Sequence, residues 1–121
     1  ILRLAAGDAP LAFVDDQRGH PSFTADLAPA LRVLAIERRA GKFHLTNSGA
    51  VSWCEFVGDI LQAAGYDRRR VSPIATADLD PPRLARRPAN GVLDNSAWRA
   101  AGKESLRDFR KPLTELVARL T

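Results

Sequence analysis

The sequence predicts an α/β fold, a few short strands with three or four helices, and three observations predict it. Apolar runs of four or five residues, bounded by Pro, Asp, Asn or Gly, recur at the length of short strands. Between them lie longer stretches in which Leu, Val or Phe return every three or four residues, the period of a helix face turned to a core. Hydrophobic residues make up 45% of the 121, enough for one unit to bury a core without disulfides or metal.

Leu2, Leu4 and Ala5 read as the end of an apolar helix. Residues 11–14 follow Pro10 and stop at Asp15 and Asp16, a strand feeding a loop that extends to Pro21. The next helix carries Leu27, Leu31 and Leu34, with Gly41 as its stop. Pro29 suits a first turn, where its missing N–H forfeits no bond, so Asp26 rather than Thr24 is the expected N-cap. Residues 42–46 alternate, with Phe43 and Leu45 on one face, and predict a second strand before a turn at Asn47-Ser48-Gly49. Ser52-Trp53-Cys54-Glu55 has the spacing of a capping box. Trp53, Phe56, Val57, Ile60, Leu61 and Ala64 follow as one stripe, ended by Gly65, and place Trp53 in the core rather than against a ligand.

Residues 71–74 predict a brief or edge strand, because Pro73 cannot donate to a ladder. Residues 77–92, with Pro81, Pro82 and Pro88, predict a loop. Asp94 or Ser96 caps a short helix ending at Gly102. Ser105 with Asp108 opens the last helix, whose buried face is Leu106, Phe109, Leu113, Leu116, Val117 and Leu120 and which Pro112 kinks.

A net charge of +4 and a pI near 10.0 favour an anionic partner. The arginines gather at 68–70 and at Arg83, Arg86 and Arg87 without lysine tracts or interleaved aromatics, which argues against nucleic acid. Cys54 is the only cysteine, and His20 and His44 lie far apart, so neither a disulfide nor a zinc set is expected and a reducing, cytoplasmic setting fits. No apolar run approaches the roughly 18 residues of a membrane span. The start, Ile1-Leu2-Arg3-Leu4, is unlike a secretory leader and reads as the interior of a longer chain.

No catalytic residue and no metal ligand is expected within the chain. A dinucleotide fingerprint needs closely spaced glycines, and the nearest pair is Gly58 and Gly65. Gly41-Lys42 and Gly102-Lys103 run into Phe43 and Glu104 rather than the Ser or Thr of a phosphate-cradling loop. Tyr66, the single tyrosine, has Arg70 where short-chain reductases place a lysine, and it follows a helix end. There is no Gly-x-Ser-x-Gly. His44 lies opposite the apolar face of its strand, and Cys54 reads as a buried, inert thiol.

Four segments in order carry a resemblance. They are Val14-Asp15-Asp16-Gln17-Arg18-Gly19-His20-Pro21-Ser22 with Asp26-Leu27-Ala28, Phe43-His44-Leu45 with Ser52-Trp53-Cys54-Glu55-Phe56, Arg87-Pro88-Ala89-Asn90-Gly91-Val92-Leu93-Asp94, and Leu106-Arg107-Asp108-Phe109-Arg110. They resemble the Asp-Gln-x-Gly-x-Pro-Thr, Ser-Trp-Tyr-Glu-Phe, Arg-Pro-x-Asn-Ser-x-Leu-Asp and Leu-x-Asp-Trp-Arg signatures of the dTDP-4-dehydrorhamnose reductase family of extended short-chain reductases. Ser22, Cys54, Gly91 and Phe109 depart from the family's Thr, Tyr, Ser and Trp.

The resemblance implies the C-terminal substrate-binding part of a Rossmann-type reductase, with residues 1–121 a single fragment. Residues 26–46 would pack on a nucleotide-binding sheet, and 77–92 would face the ligand. It implies NADPH or NADH held mainly by an N-terminal Rossmann part that carries a Tyr-x-x-x-Lys, and reduction of the 4-keto group of a dTDP-6-deoxyhexulose on the way to dTDP-L-rhamnose. Some members of the family are dimers linked by Mg2+, for which Glu115 is a carboxylate to consider beside its plainer reading as a solvated helix charge.

Arg87 is the first substrate-binding candidate, because a guanidinium fork on an irregular loop suits a diphosphate. Gln17, Pro21 and Ser22 sit on the loop after the first strand, to meet sugar or cofactor or simply to form the turn with Gly19. Asn90 either reads a nucleotide edge or closes a turn with Gly91. Two rivals stand beside this reading: a non-catalytic relative resembling the regulatory subunit of methionine adenosyltransferase, and a small basic nucleic-acid-binding domain.

Overall fold

The computed structural model describes all 121 residues. In chain order its elements are α1 (Leu2–Ala5), β1 (Leu11–Val14), β2 (Arg18–Gly19), α2 (Thr24–Ile36), β3 (Asn47–Ser48), β4 (Val51–Ser52), α3 (Trp53–Ala63), β5 (Val71–Ile74), α4 (Ser96–Ala100), β6 (Leu106–Asp108) and α5 (Arg110–Leu120). Single 3-10 turns lie at Arg68–Arg70 and Thr76–Asp78. The strands form three separate pairs: β1 with β5 in parallel, β2 with β4 antiparallel, and β3 with β6 in parallel. No helix is long and apolar enough to cross a membrane.

Helix α3 holds the chain together because its apolar stripe is wide enough to serve two clusters. Val57 and Leu61 pack with Ala5 and Leu11, backed by Phe13 and Val71. Phe56 and Ile60, one step around the helix, pack on Val51, Phe109, Leu113 and Val117. Leu61 and Phe109 are fully buried, each worth about 1.5–3 kcal/mol relative to exposure. The capping box forms as its spacing predicts, and Gly65, at φ +80°, lets the chain leave the helix in a conformation that other residues resist.

Several expectations are corrected. There are five helices rather than three or four, since α1 and α4 are single turns. Helix α2 begins at Thr24, not beyond Asp26: the Phe23 carbonyl accepts from the N–H groups of Asp26 and Leu27. Pro29 therefore lies inside the helix, where it is tolerated because the carbonyl it cannot bond belongs to Ala25 on the exposed side. The helix stops at Ile36, and Arg38, at φ +47°, turns the chain before Gly41 is reached.

Residues 42–46 form no ladder, since no strand of this chain runs beside them, and pairing begins only at Asn47. Residues 105–108 are not helical either. Ser48 captures them, its Oγ donating to the Leu106 carbonyl and its own carbonyl accepting from the Phe109 N–H. Helix α5 consequently starts at Arg110, which puts Pro112 third in the first turn, where no hydrogen bond is lost and no kink follows. Leu120 is exposed rather than buried, as are Leu31 and Ile36 on α2.

Gly49 marks the closest approach in this region. It adopts φ +94°, and a Cβ there would meet Asp108 Oδ2 and Phe109 Cδ1, each at 2.9 Å. Only glycine lets β3 and β4 turn over the buried phenyl ring.

Candidate functional site

The loop that leaves β1 is fastened to the start of α3 by a chain of polar contacts. Ser52 Oγ donates to Asp15 Oδ1 at 2.5 Å and accepts from the Glu55 N–H at 3.0 Å. Glu55 Oε2 accepts from the Ser52 N–H at 2.8 Å and from Arg18 Nη1 at 3.1 Å, while Arg18 Nη2 donates to the Ala50 carbonyl. The Arg18 backbone is shared with the proline-rich loop: its N–H donates to Ala89 and its carbonyl accepts from the Gly91 N–H, both at 2.8 Å. β2 thus lies between β4 and residues 89–91, and the three surround a cavity of about 290 Å³.

Gln17, Arg18, His20, Pro21, Trp53 and Arg87 line that cavity, together with Pro88. Gln17 is buried, and its Nε2 donates to Thr76 Oγ1 at 2.7 Å; the Thr76 hydroxyl and N–H in turn donate to Asp16. Those two donations hold the Asp16 carboxyl below its ordinary range. His20 Nδ1 lies 3.2 Å from the Gly49 carbonyl, which only accepts, so the ring proton belongs on Nδ1; the buried Nε2 has no partner. Arg87 is exposed and joins none of the chain's ion pairs.

Of the residues singled out from sequence, Gln17, Pro21 and Arg87 come together here. Ser22 lies outside the lining, its Oγ accepting from the Asn47 N–H and donating to the His20 carbonyl. Asn90 also lies outside, its Oδ1 accepting from the Val92 N–H within its own turn. Trp53 is corrected from core to surface: it is 51% exposed at the first position of α3, and Phe56 takes the inward place, edge-on at 6.2 Å.

Sequence reasoning missed Arg18 and passed over His20. Their partners Glu55 and Gly49 are 37 and 29 residues away, so no local spacing reveals them.

The other reactive side chains are committed elsewhere. Cys54 is buried, and burial, then the Asp15 and Glu55 charges, push its thiol up. Arg70 donates to the Ala5 and Gly7 carbonyls and only stacks on Tyr66. Glu115 uses both carboxylate oxygens on Arg107. No three His, Cys, Asp or Glu side chains gather to hold a metal ion.

A small cavity with one unpaired arginine, a pre-set second arginine and an exposed indole, all mounted on a rigid α/β frame, defines a ligand-binding unit. The chain belongs to the RmlD substrate binding domain family, whose sequence profile matches residues 1–121. It is 41% identical over 120 residues to a dTDP-4-dehydrorhamnose reductase of Streptomyces griseus, covering 95% of this chain and 39% of that protein. Among solved structures, a dTDP-4-dehydrorhamnose reductase of Clostridium acetobutylicum superposes with a TM-score of 0.88 at 32% identity, over 98% of this chain and 41% of that one. The dTDP-4-dehydrorhamnose reductase of Bacillus anthracis in complex with NADP gives 0.85 at 26% identity, over 99% and 41%. The chain therefore spans about two fifths of these relatives' length. Family membership replaces the basic nucleic-acid-binding reading of the charge.

Proposed function

We propose that this chain is the substrate-binding portion of a dTDP-4-dehydrorhamnose reductase, holding a dTDP-6-deoxyhexulose while NADPH or NADH reduces its 4-keto group. The observation that carries the reading is Arg87, the cavity-lining arginine with no acidic partner. A guanidinium held on a proline-stiffened loop binds a diphosphate bidentately, and Arg18, lining the same cavity with its charge balanced by Glu55, keeps further N–H donors for the same anion. Gln17 Oε1 takes no bond within the chain and is free to accept from a sugar hydroxyl. The contribution of such a wall is positioning, which converts a bimolecular step into an oriented one.

Nothing in these 121 residues fits a dinucleotide, since a pyrophosphate cradle needs close glycines at a helix start and the nearest pair is seven residues apart. In this reading the nicotinamide, which supplies hydride when bound, and the proton-donating Tyr-x-x-x-Lys belong to an N-terminal Rossmann part. Helix α2 supports that arrangement: of its 13 residues only Ala30 is buried, and Leu31 and Ile36 present apolar surface suited to a sheet, as residues 26–46 would need. Residues 77–92 are the ligand-facing loop, supported by Arg87 and Pro88 in the lining and by the bonds from Arg18. The geometry gives no support to a magnesium-linked dimer through Glu115, because Arg107 already takes both oxygens of that carboxylate.

The test is calorimetric titration of the full-length protein with dTDP, together with NADPH oxidation in the presence of a dTDP-4-dehydro-6-deoxyhexose. Binding with turnover is the expected result. Binding of dTDP without turnover would favour a non-catalytic, regulatory relative, and no dTDP binding would end the proposal.

A further inference from the structure

Trp53 stands apart from the rest of its stripe. Val57 and Leu61, further along the same helix, are 1% and 0% exposed, yet the indole is 51% exposed at the cavity. Its position is not loose. The helix start beneath it is closed by the Ser52–Glu55 capping box and tied to Asp15, and its ring contacts Phe56 edge-on at an interplanar angle of 62°. Phe56 in turn rests on the buried Phe109 at 5.8 Å. The indole is thus buttressed through a line of aromatic edges, and no ring or guanidinium of the chain lies over its face.

We propose that Trp53 is a stacking platform for the planar base of the nucleotide, with the diphosphate directed to Arg87 and Arg18. This rests on the sugar-nucleotide reading above and deepens it. A flat conjugated ring is the ligand feature that an uncommitted indole face recognises without further polar partners. The polar groups flanking Trp53 in sequence are already satisfied by one another: Ser52 by Asp15 and the Glu55 N–H, Glu55 by the Ser52 N–H and Arg18. A sugar hydroxyl set beside those flanking groups would find few free partners, the free side-chain acceptors of the cavity being Gln17 Oε1 and His20 Nε2, whereas a stacked base requires none. The cavity, about 290 Å³, is at the small end of ligand sites and holds part of a sugar nucleotide rather than all of it.

The experiment compares Trp53→Ala, Trp53→Phe and the unsubstituted full-length protein, titrated calorimetrically with dTDP, inorganic pyrophosphate and a dTDP-hexose. Stacking predicts that Trp53→Ala weakens dTDP about tenfold to a hundredfold, that Trp53→Phe recovers most of the loss, and that pyrophosphate affinity moves by less than about twofold. An unchanged dTDP affinity in Trp53→Ala overturns the platform while leaving the sugar-nucleotide reading in place. So does an equal loss for pyrophosphate, which would signal a displaced site, or a loss confined to the dTDP-hexose, which would put the sugar on the indole. If the unsubstituted protein binds neither dTDP nor pyrophosphate, the function and the platform fall together.

Discussion

The side-chain amide of Asn47 donates to Asp26 Oδ2 across 2.7 Å, and through this bond the first turn of α2 is held to β3. Asn47 is fully buried and spends both ends of its side-chain amide and its backbone N–H. Its Nδ2 also donates to the Arg107 carbonyl, its Oδ1 accepts from the Phe23 N–H, and its backbone N–H donates to Ser22 Oγ. Asn47→Ala would leave the Phe23 N–H and the Arg107 carbonyl without partners, a loss of about 3 kcal/mol in chemical denaturation. Asn47→Asp keeps the shape but loses both donors and sets a second carboxylate against Asp26, so it should destabilise at least as much at neutral pH.

Acid sensitivity follows from the same junction. The Arg107 guanidinium, and then the Asn47 amide, hold the Asp26 carboxyl below its ordinary 3.8, with burial opposing them. Because the folded-state value is depressed, the stabilisation is fully present above 3.8 and is lost as the pH falls through the lowered native value. Asp26→Asn should therefore flatten the acid limb of a stability–pH curve below about pH 4. Asp67 is held lower still, at about 2, by Arg69. Both partners stand on the surface, Arg69 87% exposed, so Asp67→Asn should leave the curve nearly unchanged.

The parts of the fold that were legible in the sequence are those decided within one turn or one strand. The Ser52 cap and the Gly65 exit depend on neighbours fewer than about five residues away, and β1 and β5 show as short bounded apolar runs even though each takes its ladder from the other. Two of the errors come from contacts far along the chain, whereas the early start of α2 was a local choice between two caps. Leu106 belongs to a stripe that continues into Phe109 and Leu113, yet Ser48, 58 residues earlier, takes its carbonyl and makes it a strand. Trp53 fits its helical stripe by spacing, but the loop bearing Arg87 and the loop bearing Arg18 enclose a cavity just where the stripe begins. Arg87 and Gln17 were legible as polar groups on loops, whereas the contribution of Arg18 rests on a carboxylate 37 residues away.

Ser52 links stability to the shape of the site. Its hydroxyl caps α3 and also receives the loop after β1 through Asp15, so Ser52→Ala removes two bonds from a residue only 1% exposed. The cap alone is worth about 1 kcal/mol, and the unpaired Asp15 adds to the cost. Ser52→Thr keeps the hydroxyl and should restore most of the melting temperature. Dinucleotide-independent binding of dTDP should fall in Ser52→Ala even at temperatures where the protein stays folded, because the Arg18–Glu55 pair loses the helix start that orients it.

Arg87 supplies the clearest test of whether the cavity holds an anion. It is exposed and has no competing carboxylate, so replacing it should cost binding without costing the fold. Arg87→Ala is expected to weaken dTDP and inorganic pyrophosphate alike, by about tenfold to a hundredfold, since a charge-assisted bond to a phosphate is worth about 1.5–3 kcal/mol. Thymidine, which lacks the charge, should bind the variant and the parent equally. Arg87→Lys retains the charge but not the planar fork, and should recover only a minor share of the loss. Because the guanidinium is open to solvent, the gap between parent and variant should narrow as ionic strength rises and the screening length shrinks to about 3 Å near 1 M salt. If the full-length protein turns over as proposed, the loss in steady-state kinetics should fall on KM with kcat nearly intact, the pattern of a contact made equally in the ground and transition states. A fall in kcat at unchanged KM would mean instead that Arg87 acts on the reacting carbonyl, and the diphosphate assignment would have to be given up.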